Sequence, residues 1–97
     1  MKRPNIVVDL HIEKIARGYR NFSPADSLIY QKELFERTLR ANRLKKGMEI
    51  VFIHGVGAGV LREELIKILQ QKFPEFLHDD ASFALFGYQG ALHVTIR

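Results

Sequence analysis

The chain has 97 residues, enough for one domain and too few for two cores. Hydrophobic content of 46% and charged content of 27% are ordinary globular values, which exclude a disordered or collagen-like chain, and the absence of cysteine excludes disulfides and thiolate metal sites. Fifteen Lys and Arg against eleven Asp and Glu give a net charge of +4, and the pI is near 9.6, a balance that suits a polyanionic partner.

Ile6-Val7-Val8-Asp9-Leu10-His11 is short and β-branched and predicts a first strand. Residues 12–22, with Gly18, Tyr19 and Asn21, predict a loop holding a helical turn. Ser23-Pro24-Ala25-Asp26 starts a helix. Ser23 can accept from free N–H groups, Pro24 suits the first helical position, and Asp26 favours the positive end. Leu28, Leu34, Phe35 and Leu39 form its apolar face, and Gly47 marks the exit.

Glu49 to Ile53 predicts a second strand, whose run of four apolar residues from Ile50 points to burial on both faces. His54-Gly55-Val56-Gly57-Ala58-Gly59 is a turn. Leu61, Leu65, Ile68 and Leu69 then line a second helix that ends before Pro74. His78-Asp79-Asp80 reads as a solvated loop. Ala81 to Phe86 predicts a third strand, Gly87-Tyr88-Gln89-Gly90 a hairpin, and Ala91 to Arg97 a fourth strand with Leu92, Val94 and Ile96 on its apolar side. The expected architecture is a two-layer β-α-β-α-β-β sandwich, with a four-stranded mixed sheet and the last strand antiparallel. The apolar run of four is far short of the ~20 residues of a membrane span, and the N-terminus lacks a signal-peptide core. A cytoplasmic domain with no membrane partner is expected. Its beginning just before the first strand and its end on the last suggest excision from a longer parent chain.

Parallel first and second strands bring Asp9, His11 and His54 to one sheet edge, where open α/β sheets bind ligands. One carboxylate and two imidazoles suit general acid–base chemistry or a two-His, one-carboxylate metal site with Asp9 as the carboxylate ligand. Strand, then Gly55-x-Gly57-x-Gly59, then helix exposes N–H groups that can hold a phosphate, and Arg62 can add charge to the same anion. The spacing fits neither a dinucleotide fingerprint nor a P-loop. Arg37, Arg40, Arg43, Lys45 and Lys46 form a basic stretch that suits phosphate-backbone contact, or balances a helix dipole. Tyr19 and Phe22, beside Arg17 and Arg20, can stack on bases or close over the core.

Val8-Asp9-Leu10-His11, then His54-Gly55-x-Gly57-x-Gly59-x-Leu61-Arg62, then a Gly-containing hairpin before the last strand resembles the Smr (small MutS-related) domain along essentially the whole chain, from Ile6 to Arg97. It looks like the subgroup that forms the C-terminal domain of larger bacterial proteins. The resemblance implies a fold similar to the C-terminal domain of translation initiation factor three. It also implies nucleic-acid binding, and metal-dependent nicking of DNA or cleavage of RNA in several members, in proteins tied to repair, recombination or RNA quality control. Asp9 and His11 match the motif linked to cleavage, and His54, Gly55 and Gly57 match the second motif. A divalent cation, Mg²⁺ or Mn²⁺, is the implied cofactor, with no organic one. DNA or RNA is the implied partner of an isolated domain that is monomeric. The sequence departs from the family at Ile12, where Gly is usual, and at Gly87-Tyr88-Gln89-Gly90-Ala91-Leu92, which lacks the second Gly and the Thr of the last motif. Tyr88 can stack on a base, while the lost hydroxyl bears on cleavage more than on binding.

Overall fold

The computed structural model describes residues 4–88 and 90–97. Strand β1 (Ile6–Asp9) leads into a one-turn helix α1 (Ile12–Ile15), a 3₁₀ turn (Tyr19–Asn21) and the long helix α2 (Pro24–Asn42). Strand β2 (Glu49–Ile53), helix α3 (Val60–Lys72), strand β3 (Leu77–Asp80), the short helix α4 (Phe83–Phe86) and strand β4 (Ala91–Thr95) follow. The sheet order is β1-β2-β4-β3. β1 and β2 are parallel, with Asp9 opposite Ile53, and β4 runs antiparallel to both β2 and β3. The mixed four-stranded sheet expected from the sequence is therefore present.

Local chemistry explains the long helix. Ser23 Oγ accepts from Asp26 N–H, and the Asp26 carboxylate accepts from Ser23 N–H, so two otherwise free donors are satisfied at its start. Phe35 and Leu39 are buried, and Phe35 meets Phe52 of β2 edge-on at 4.5 Å between ring centroids. Leu65, Ile68 and Leu69 of α3 join the same core, with Ile50, Phe52, Leu92, Val94 and Ile96 from the sheet. Thus α2 and α3 cover one face. On the other face Val51 is fully buried, which fits the four-residue apolar run of β2, and Phe86 of α4 lies against His93 at 5.2 Å.

The third strand differs from expectation. Ala81 to Phe86 is not a strand; β3 is Leu77–Asp80, and Phe83–Phe86 is helical. Ser82 Oγ accepts from Leu85 N–H, and Gly87 closes the turn with φ +75°. An apolar run as short as Phe-Ala-Leu-Phe suits either state, and the cap decides it. His78-Asp79-Asp80 is an edge strand rather than a loop, and its charges are what an open edge tolerates. β3 and β4 are joined by residues 81–90, not by a four-residue hairpin; Gln89 of that expected hairpin lies outside the described residues. Among the described residues, no helix is long and apolar enough to cross a membrane.

Candidate nucleic-acid interface

Asp9 closes β1 and His54 follows β2, so the parallel pair carries Asp9, His11 and His54 to one edge of the sheet. There the Asp9 carboxylate accepts twice from His11, through Oδ1 to the backbone N–H at 3.0 Å and to ring Nδ1 at 2.6 Å. Partial burial pushes the Asp9 carboxyl up, but the backbone and side-chain hydrogen bonds from His11 outweigh it and hold the group below the usual carboxylate value. With Nδ1–H committed to Asp9, the other ring nitrogen, Nε2, is directed across Gly55. A Cβ on Gly55 would lie 2.7 Å from it. The His11 side chain is 42% exposed, so this imidazole is within reach of a ligand.

His54 is placed differently. Its Nδ1 lies 3.0 Å from the Gly55 carbonyl oxygen, while Nε2 is buried and has no hydrogen-bond partner among the described residues. Burial is the main reason its pKa falls below 6.5, and the Arg62 charge lowers it further; the Gly55 hydrogen bond and Asp80 oppose them. His54 is therefore neutral at neutral pH and donates from Nδ1 to the loop. Its ring is turned into the glycine turn, whereas the His11 ring reaches the surface.

The turn is pinned by a residue that the sequence marks only as a hairpin glycine. The Gly90 carbonyl accepts from both His54 N–H (2.8 Å) and Gly55 N–H (2.9 Å). Gly90 has φ +59°, and a Cβ there would fall 2.4 Å from the carbonyl carbon and oxygen of Gly55. Because Gly55 N–H is occupied, it cannot serve an anion as the sequence suggests. The first α-helical bond of α3 runs from Glu63 N–H to Gly59 O, so Val60, Leu61 and Arg62 N–H lack intrahelical acceptors. Gly57 is exposed, with open space where a Cβ would stand. Residues 54–62 line a cleft of about 180 Å³ here.

Arg62 lines this cleft but is already paired, giving Nε to Asp80 Oδ1 at 2.8 Å and Nη2 to Oδ2 at 3.0 Å. The sequence alone leaves Asp80 in bare solvent, because the pairing exists only once residues 77–80 form a strand. Tyr88 borders a separate hollow with Pro4 and α4. Arg20 lies over the Tyr19 ring at 5.7 Å, and Phe22 packs on Tyr30 at 5.9 Å, so both aromatics are engaged within the chain.

The basic stretch is not at this edge. It ends α2 and enters β2, where Gly47 N–H bonds to Ile96 O at the far end of the sheet. About 17 Å of strand separates it from the dyad, taking ~3.3 Å per residue over the five residues of β2. Arg40 is tied to Glu36 at 3.2 Å and lies over Phe73, while Arg37, Arg43, Lys45 and Lys46 are exposed.

Mg²⁺ is commonly held through one or two carboxylates, with water and substrate phosphate oxygens completing an octahedron. This edge offers Asp9, whose Oδ1 already accepts twice from His11, and Asp80, which is chelated by Arg62. Among the described residues no group of three or more His, Asp or Glu could cage a metal, so a Mg²⁺ or Mn²⁺ here would need water and substrate phosphate oxygens as further ligands. No protein-family model matches the chain, and no curated protein or solved structure matches it.

Proposed function

We propose that the chain is an Smr-like nucleic-acid-binding domain with phosphodiester-cleaving activity on DNA or RNA, working in the cytoplasm in MutS-related repair or recombination. The observation that carries this reading is the Asp9–His11 pair lying across Gly55 beside a glycine turn that leads into a helix. In this reading His11 Nε2 takes a proton from the attacking water, whose oxygen bonds to phosphorus as the P–O bond to the leaving sugar oxygen breaks; that oxygen takes a proton from solvent, and Asp9 fixes the ring and stabilises the imidazolium that forms. Backbone N–H groups of residues 57–62 and the Arg62 guanidinium face the charge that grows on the phosphate oxygens.

The test incubates the purified domain with labelled single-stranded, duplex and branched DNA and RNA, with Mg²⁺, Mn²⁺ or EDTA. Wild type should cut, and Asp9→Asn should lose cleavage by about 100-fold or more while binding is kept. Equal cutting by Asp9→Asn would remove the dyad from the mechanism. A second reading, a non-catalytic binding module, is favoured by one feature: the exposed basic patch lies at the end of the sheet away from the dyad. Wild type that binds but never cuts would establish it. Absence of both would leave a protein-interaction module of a larger chain.

A further inference from the structure

We propose that Asp80, on the edge strand β3, is a positioning residue that aims Arg62 at the phosphate held by the glycine turn; this rests on the nucleic-acid reading above. Arg62 stands in the first turn of α3 and Asp80 ends β3, so the contact joins elements 18 residues apart. Two parallel bonds, at 2.8 and 3.0 Å, fix the plane of the guanidinium as well as its place. A guanidinium carries five N–H donors. Asp80 takes one from Nε and one from Nη2, which leaves both Nη1 hydrogens and one on Nη2. The free donors lie on the side of the fork turned from Asp80, on a side chain that itself lines the cleft of residues 54–62.

The pair is partly exposed, with side-chain accessibilities of 39% for Arg62 and 62% for Asp80. An exposed pair of this kind adds little to folding stability, so holding the fold together is a weak reason for its geometry. An ordered fork is worth more to binding, because an unrestrained arginine must give up rotamer freedom on meeting its ligand. Both charges also act on His54, Arg62 lowering its pKa and Asp80 raising it, which places the pair beside the turn.

The two explanations of Asp80 predict opposite signs. If only net charge matters, removing an acid beside a polyanion site tightens binding. If Asp80 aims Arg62, its removal weakens binding. The experiment measures fluorescence anisotropy of a short fluorescein-labelled single-stranded RNA and its DNA counterpart at fixed salt. Proteins are wild type, Asp80→Asn, Arg62→Ala and the double variant. Asp80→Asn should weaken binding about five-fold, and the double variant should be no weaker than Arg62→Ala alone, since the two residues act as one unit. Asp80→Glu, which keeps the carboxylate, should recover most of the loss. The Arg62 Nε–H cross-peak in ¹⁵N spectra should be sharp in wild type and exchange-broadened in Asp80→Asn, and the melting temperature should hardly move. Unchanged or tighter binding by Asp80→Asn, with wild type binding normally, overturns the positioning role and leaves the nucleic-acid reading standing. Wild type that binds neither oligonucleotide overturns that reading and the positioning role together.

Discussion

Replacing Gly90 by alanine tests the contact that holds the candidate site together. Gly90 sits at φ +59°, where an L residue pays about 1–2 kcal/mol. Its new methyl would meet the Gly55 carbonyl carbon and oxygen at 2.4 Å and Val56 N at 2.9 Å, all backbone atoms that cannot rotate away. Relief requires β4 and the turn to part, which strains the bonds from His54 N–H and Gly55 N–H to Gly90 O. Each such bond is worth about 1 kcal/mol net. The expected total is roughly 2–4 kcal/mol, adding the backbone cost to the loss of one or both bonds. Gly87→Ala supplies the control, since Gly87 also has positive φ, +75°, but open space where its Cβ would stand. It should cost only the backbone part, about 1–2 kcal/mol. Urea unfolding of the two variants, read by far-ultraviolet circular dichroism, gives the difference directly. If Gly90→Ala costs no more than Gly87→Ala, the close approach of Gly90 to Gly55 does not hold the turn.

Gly57→Ala should leave urea unfolding nearly unchanged, because among the described residues no atom beyond its two chain neighbours lies within 4 Å of the added methyl, yet weaken oligonucleotide binding if a phosphate approaches there; equal binding would move the phosphate off Gly57. His54 has its pKa lowered from 6.5, so the unfolded chain binds its proton more tightly. The stabilisation it gives is complete above about pH 6.5 and is lost as pH falls through the lower folded value. Melting curves of His54→Asn should lack that decline, whereas the lowered carboxyl groups of Asp9, Glu36 and Asp80 act at more acidic pH, near and below 4. Replacing Arg43 and Lys46 by alanine should make the log–log salt dependence of duplex DNA binding shallower by about 0.9 for each phosphate that is no longer neutralised, without altering cleavage at saturation; an unchanged slope would return the patch to a solvated helix end.

Elements that bury something were legible in the sequence, and those that bury nothing were not. The start of α2 was visible because Ser23, Pro24 and Asp26 each satisfy a separate need of a helix N-terminus. β2 was visible because Val51 and Phe52 face opposite sides and both are fully buried. β3 was invisible: Leu77, His78, Asp79 and Asp80 are all exposed, so the strand has no apolar periodicity and exists through its ladder to β4. That gap hid the partner of Arg62, and sequence distance hid the role of Gly90. Arg62 looked free because its partner looked like loop, and Gly90 looked like a generic turn residue because the backbone it meets, at Gly55, is 35 positions away. The grouping of Asp9, His11 and His54 survived because it depends only on β1 and β2 being parallel, which the intervening helix enforces. Which nitrogen of each imidazole faces the surface depends on side-chain packing, and no spacing rule encodes it.

The same crossover that brings His54 to Asp9 and His11 also sends the basic patch away from them. A helix packed antiparallel to β1 and β2 must end over the beginnings of those strands, so residues 43–46 lie where β2 starts and His54 lies where it ends. A ligand that touches both must bridge about 17 Å, which corresponds to roughly five nucleotides of duplex rise at ~3.4 Å each. Oligonucleotides shorter than that should reach the glycine turn or the patch, but not both. Affinity should therefore rise with length through about five to six nucleotides, with a steeper salt dependence beyond that point as phosphates reach the patch. The Arg43→Ala, Lys46→Ala variant should lose the increment for long ligands and leave the short ones unaffected. Anisotropy titrations of a length series at two salt concentrations measure both quantities. A salt slope independent of length would mean that the patch and the dyad do not serve the same strand.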